Sequence, residues 1–229
     1  MAEQFQKRGL NARFLDAVCP DLSKGWPAIY NRKKRSRTKG YDMNQGEIGC
    51  FMSHRQAWTE FLNSEEKITC VLEDDVELDK DFENVLTILC SLAHQWDVVR
   101  LYGVFQRKDV RLLEFMPGRW LVDYFEHPRG TQGYVLNREA ARRLLKHTET
   151  MHCPIDDSLD RGWQHKLRFY GIKPYILNEM SNNISTIANR KHRRQNCWRR
   201  LCQEFNRSGT NIRKKIWVLG KWIRYSIRL

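Results

Sequence analysis

The stretch ITCVLEDDVELD, residues 68–79, sets Glu73, Asp74 and Asp75 directly after an apolar run from Ile68 to Leu72. Like charges at that spacing repel, and burying one of them unpaired is costly. A divalent cation removes the difficulty. Mg²⁺ or Mn²⁺ takes oxygen ligands and keeps positions open for phosphate. Ligand sites of open α/β sheets form at the carboxyl ends of strands, where this triplet stands. On an extended chain Glu73 and Asp75 face one side and Asp74 the other. One pair can then address a metal and a phosphate-bearing ligand while the third group orients a neighbour. Taken alone, the triplet would equally suit a metal-dependent nuclease or phosphatase.

Three further stretches could carry chemistry. In CPIDDSLD, Asp156 and Asp157 follow Pro154 and open a helix. They are either simple caps or a general base, since a helix start favours the ionised carboxylate. In RGTQGYVLN, Gly130 and Gly133 flank Thr131 and Gln132. Small residues let a backbone approach a ligand closely, although a turn into a strand reads the same way. In GEIGCFMSHRQAWTEFLN, residues Phe51, His54, Trp58 and Phe61 fall at helical spacing. His54 therefore lies on the core stripe, where a satisfied structural histidine is the commoner case, with Ser53 beside it near the helix start. NRKKRSRTKG holds six basic residues from Arg32 to Lys39 and reads as a polar loop, either solvated or an anion-binding lid.

The elements that must position these residues alternate. A short helix over MAEQFQKRGL precedes a strand, ARFLDAV, and the polar loop over 22–41. The GEIGC helix and the Ile68–Leu72 strand follow, then a helix over DFENVLTILCSLAH and strands at DVVRLYG, WLVDYFE and GTQGYVLN. Asn137 caps the helix REAARRLLKH. A helix over DDSLDRGWQHKLRFYG ends at Gly171, and KPYILN is a last strand. Such alternation predicts an α/β body with a mixed, largely parallel sheet.

Charge is unevenly spread. The formal net charge is +13, and residues 189–229 hold 13 Lys or Arg against Glu204 alone. The rest is nearly neutral, which argues against a nucleic-acid groove and leaves a basic appendage. In that appendage Ile212, Ile216, Leu219, Ile223 and Ile227 recur at helical spacing, with Trp217, Trp222 and Tyr225 alongside. This is the pattern of an amphipathic helix lying on an anionic membrane surface; a helix packed on the body is the alternative. No apolar run approaches the ~20 residues of a membrane span. The seven cysteines form no C-x-x-C pair and read as thiols of a reducing cytosol, and the start shows no signal peptide.

The motifs GEIGCFMSHRQAW, VLEDDVEL, RGTQGYVLNREAARRLL and CPIDD occur in the order and approximate spacing of glycosyltransferase family 25. The chain resembles the bacterial lipooligosaccharide galactosyltransferases of that family over roughly residues 2–180. The resemblance implies a GT-A-like nucleotide-sugar domain over 1–188 and a membrane-surface tail over 189–229. It implies a UDP-sugar donor, commonly UDP-galactose, a divalent metal (Mn²⁺ or Mg²⁺) and inversion at the anomeric carbon. Asp75, with Glu73, would hold the metal. Glu73, Asp74, Gly46, Glu47, Ser53, His54, Thr131, Gln132 and Gly133 would line the donor side. Asp157, or Asp156, would be the base. Family members open with a strand that supports the nucleoside, whereas this chain opens within a helix, so an incomplete donor site is expected. The acceptor would be lipooligosaccharide or another glycan at the inner face of the cytoplasmic membrane, with the protein cytoplasmic and peripheral. The competing readings are an inactive member that binds a glycan or partner, and a metal nuclease or nucleic-acid binder.

Overall fold

The computed structural model describes residues 1–180 and 197–226, with side chains throughout except over 197–210. The helices are α1 (Ala2–Lys7), α2 (Arg32–Lys39), α3 (Gln45–Asn63), α4 (Phe82–Ser91), α5 (Arg138–His147), α6 (Ile155–Leu159), α7 (Gly162–His165) and α8 (Cys197–Ser226). The strands are β1 (Ile68–Leu72), β2 (Val76–Leu78), β3 (Val98–Arg100), β4 (Asp109–Met116), β5 (Arg119–Tyr124), β6 (Gly133–Asn137), β7 (Phe169–Lys173) and β8 (Leu177–Glu179).

Six strands form one sheet in the order β1-β6-β3-β7-β5-β4, and β2 pairs with β8 in a separate ribbon. Only β3 and β7 run parallel; the other pairs are antiparallel. The expectation of a largely parallel sheet is therefore corrected. Parallel neighbours need a long crossover, usually a helix. Here β3, β4, β5 and β6 follow one another with no helix between them, and β4 turns straight into β5 through Pro117 and Gly118. Gly118 sits at φ 73°, a left-handed conformation that costs glycine little.

Side chains alternate across the sheet. On β6, Tyr134 and Leu136 enter the core under α3 and α5. Val135 enters the opposite core with Val85 and Leu89 of α4. The body is thus helix, sheet, helix in layers, and one strand serves two cores by its period of two. The predicted α3 stripe is buried, with Phe51, Trp58 and Phe61 in the first core. Its start is a capping box: Asn44 accepts from the Glu47 N–H, and the Glu47 carboxylate accepts from the Asn44 N–H.

Three local readings are corrected. The segment ARFLDAV forms no strand. It crosses α3 instead, with the Val18 N–H donating to Ser53 Oγ at 2.9 Å. Gly49 allows that approach, because a side chain there would strike the Val18 carbonyl. The supposed loop over 32–39 is a helix. Asn31 caps it by accepting from the Lys34 N–H, and Gly40 closes it at φ 82°. The single helix over 156–171 is α6, α7 and β7. Lys166 at φ 54° ends α7, and Gly171 lies in β7 against the Tyr124 ring.

The tail is also no free appendage along α8. The Lys221 ammonium is buried and donates to an Asp123 carboxylate oxygen at 2.5 Å and to the Tyr124 carbonyl at 2.8 Å. The Tyr225 hydroxyl donates to the other Asp123 oxygen at 2.7 Å, and Trp222 stacks on Phe125. Trp217 lies against Gly162, where a Cβ would collide with its ring. The apolar stripe faces away from this docked side: Ile212, Ile216, Leu219 and Ile223 are all more than half exposed. Ile227, residues 189–196 and the rest of the predicted tail beyond Ser226 lie outside the described residues.

Candidate active site

The triplet follows β1 directly. The Glu73 N–H donates to the Gln132 carbonyl at 2.9 Å, extending the β1–β6 pairing by one step. That pairing brings the two motifs side by side. The Thr131 hydroxyl donates to a Glu73 carboxylate oxygen, and His54 Nε2 lies 3.5 Å from the same oxygen. His54 Nδ1 is 2.8 Å from the Tyr134 hydroxyl, which also accepts from Trp58 Nε1 at 2.9 Å. Indole N–H is only a donor. Because the ionised Glu73 is only an acceptor, a neutral His54 carries its proton on Nε2 and receives the Tyr134 proton on Nδ1; a charged His54 carries both. In either state Nε2 presents a proton to Glu73.

These contacts decide the charges. Burial would raise the Glu73 pKa, but the hydrogen bonds from His54 and Thr131 hold it below the usual carboxylate value. Burial likewise opposes charge on His54, yet its contacts with Tyr134, Cys50 and Glu73 raise it well above the ordinary 6.5. Asp75 differs. One of its carboxylate oxygens is buried with no hydrogen-bond partner among the described residues. Burial, then the Glu73 charge, pushes its pKa up. Asp74 is exposed; it and Asp75 form the turn between β1 and β2, so the alternation expected of an extended chain does not hold there.

Asp156 and Asp157 lie in the first turn of α6. Neither caps it; Pro154 holds the N-cap position with no side-chain bond. Asp157 pairs with Arg129 at 3.4 Å and Lys39 at 3.9 Å. Burial and the neighbouring Asp157 charge raise the Asp156 pKa.

One cavity of about 1890 Å³ collects these groups. Gly46, Glu47, Ser53, His54, Glu73, Asp74, Asp75, Thr131, Gln132, Asp156 and Asp157 all line it. Gly133 does not. It is packed in β6, where a side chain would strike Leu72 and Leu177. Glu47 and Ser53 have structural duties as well, in the α3 cap and the Val18 clamp. Sequence reasoning missed Arg35, Lys39 and Arg129 as cavity residues, and Tyr134 as the partner of His54. The run from Arg32 to Lys39 reads in the sequence as either a solvated loop or an anion-binding lid, without singling out Arg35 or Lys39; nothing in the sequence marks Tyr134. Cys50 Sγ, a His54 ring nitrogen and a Glu73 oxygen also lie within 4.8 Å of one another.

A hard divalent cation fits this donor set. Asp75 offers a buried, otherwise unpartnered oxygen, and Glu73 stands ionised beside it. The cavity thus gathers a donor set suited to a cation together with a second pair of carboxylates.

Comparison with known proteins places the chain among relatives. The family model described as Glycosyltransferase family 25 (LPS biosynthesis protein) matches residues 1–159. The lacto-N-neotetraose biosynthesis glycosyltransferase LgtE of Neisseria meningitidis serogroup B is 31% identical over 154 residues, covering 64% of this chain and 54% of LgtE. Human procollagen galactosyltransferase 2 is 28% identical over 150 residues, 63% of this chain and 22% of that protein. A rat protein named probable inactive glycosyltransferase 25 family member 3 is 28% identical over 163 residues, 66% of this chain and 26% of its own length. The chain spans about half the length of LgtE and about a quarter of the two animal proteins. With its motifs gathered on one cavity and the family match running through most of the chain, this protein belongs to glycosyltransferase family 25.

Proposed function

We propose that the chain transfers a hexose, galactose first among candidates, from a UDP-sugar to a lipooligosaccharide or related core glycan, with inversion. The single observation that carries this reading is the buried, unpartnered Asp75 oxygen in a cavity shared with Asp156 and Asp157. It joins family membership to a donor set suited to a cation. The name of procollagen galactosyltransferase 2 supports galactose, and the family description, LPS biosynthesis protein, supports a core-glycan acceptor. Asp75 and Glu73 would hold Mn²⁺ or Mg²⁺, which when bound neutralises charge on a leaving diphosphate as a Lewis acid.

The chain's own residues do the rest. Thr131 and His54 keep Glu73 ionised and fixed in place. Asp157 accepts the proton of the acceptor hydroxyl as that oxygen bonds to the anomeric carbon and the bond to UDP breaks. Asp156 is the lesser candidate because burial and its neighbour favour its protonated form. One base suffices, since inversion needs no covalent intermediate. The test is UDP release with Mn²⁺ and a panel of UDP-sugars, with and without truncated lipooligosaccharide. Acceptor-dependent release with UDP-galactose is expected; background release with every donor would sink the reading.

The location proposed is the inner face of the cytoplasmic membrane. Among the described residues no helix is long and apolar enough to cross a membrane. Support comes from α8, whose exposed Ile212, Ile216, Leu219 and Ile223 are flanked by exposed Arg213, Lys215 and Arg224. That face suits an acyl boundary rimmed by anionic head groups. Because the other face of α8 is docked, deleting residues 189–229 would also uncover Asp123 and Phe125. The double change Ile216→Glu and Ile223→Glu is the cleaner probe. It should abolish flotation with anionic vesicles and spare transfer to a soluble acceptor; flotation that persists would exclude this face.

A further inference from the structure

Arg35 is only 1% exposed, yet it has no carboxylate within ion-pair distance among the described residues. Its Nε donates to the Tyr41 carbonyl at 3.0 Å, and its guanidinium lies 4.8 Å over the Tyr41 ring. Its Nη1 is buried with no hydrogen-bond partner among the described residues. Arg100 is as deeply buried but has Asp160 at 2.7 Å. A buried guanidinium with donors left over is costly unless an anion completes it.

Arg35 lines the candidate cavity, and it has company there. Lys39, one turn along α2, lines it as well, and so does Arg129. Arg129 sits at φ 60°, a left-handed conformation uncommon for a residue with a side chain. Lys39 and Arg129 both reach Asp157. Lys39 and Arg129 thus set two cations against Asp157, and Arg35 lies one turn of α2 from Lys39 on the same cavity.

We propose that Arg35, Lys39 and Arg129 form an anion subsite that takes a phosphate or carboxylate carried by the acceptor glycan. This rests on the assignment of Asp157 as the base. In an in-line displacement the base stands on the acceptor side and the diphosphate leaves from the opposite face. Lys39 and Arg129, in contact with the base, therefore meet the incoming glycan, and Arg35 stands one turn of α2 from Lys39. Guanidinium forks suit the planar, two-oxygen face of such anions.

The experiment is a titration of the full chain, without divalent metal, with inorganic phosphate and separately with UDP, followed by ³¹P line width. Wild type is compared with Arg35→Gln and Arg129→Gln. Arg129 has a half-exposed side chain, so its variant keeps the test valid should loss of the buried Arg35 unfold the protein. Phosphate affinity should fall about ten- to a hundredfold, the size of a lost charge-assisted hydrogen bond. UDP affinity should stay within about twofold, as expected of a site it does not touch. Unchanged phosphate affinity in the folded variants would overturn the subsite. A parallel fall in UDP affinity would assign these cations to the donor diphosphate and overturn the acceptor-side placement. Neither readout needs turnover, so a protein that transfers no sugar would still answer the question.

Discussion

At the scale of single residues, the site divides its carboxylates by environment. Glu73 is held ionised by His54 and Thr131, while the half-buried Asp75 keeps one buried oxygen without a partner among the described residues. Asp75→Asn should remove Mn²⁺-dependent UDP binding yet leave the thermal midpoint equal or higher, because a buried unpaired charge is costly. Manganese-dependent binding at wild-type strength in that variant would refute the assignment. Asp157→Asn should lower turnover by about 10²–10⁴-fold, the usual share of a general base, with UDP affinity little changed. Asp156→Asn, measured alongside, should keep most of the turnover; the reverse ranking would exchange their roles.

At the scale of elements, the caps and one buried ion pair carry the argument. The Asn44–Glu47 box starts the helix that delivers His54. Asn44→Ala should cost about 0.5–2 kcal/mol of stability by denaturant unfolding. On α8, Lys221 and Asp123 are both buried, and their separation is 2.5 Å. Burial lowers the Lys221 pKa although Asp123 works against that fall. Removing one partner of such a pair costs about 3–5 kcal/mol, since the other is left buried and uncompensated. Lys221→Ala should therefore speed amide exchange over 211–226, with β6 and α3 still protected. Exchange unchanged along α8 would mean that the tryptophans alone dock it.

At the scale of the whole molecule, several histidines are folded in their neutral form. Burial, with nearby cations, lowers His152 and His165 to about 4, and lowers His127 and His147 as well. His165 shows why: Nδ1 accepts from the Leu167 N–H, and Nε2 lies 2.9 Å from the Leu159 carbonyl. Protonating Nδ1 would break the first bond. An unfolded histidine takes up its proton near 6.5, whereas folded His152 and His165 do so only near 4, so the unfolded state binds more protons in between. Their stabilisation is complete above about pH 6.5 and is lost as pH falls towards about 4. Asp160, pushed up to about 6 by burial, acts in the opposite sense, as do the raised Asp75 and Asp156, but the four lowered histidines outnumber these three carboxylates. The thermal midpoint should fall across that window; a level profile would show that the histidines titrate together in both states.

Much of this was legible in the residues themselves. The period of Phe51, His54, Trp58 and Phe61 marked α3 and its buried face, and Asn137 marked the start of α5. The apolar run into three acids marked β1 and the loop that follows it. These signals are local, written in spacing and capping within a few residues. What stayed hidden depended on partners distant in the chain. ARFLDAV has the composition of a strand, but α3 offers it Gly49 and Ser53 in place of a strand neighbour. Strand direction followed from which elements lie between strands in space, so the largely parallel sheet proved mostly antiparallel. The C-terminal stripe was legible as a stripe; only the buried Lys221–Asp123 pair decided that its opposite face docks and the isoleucines look outward. The sequence by itself determined the family, the acids and the helices that carry the motifs. Only the tertiary structure brought Arg35, Lys39 and Arg129 to the same cavity as those acids, because electrostatic partnership depends on distance through space and not on separation along the chain.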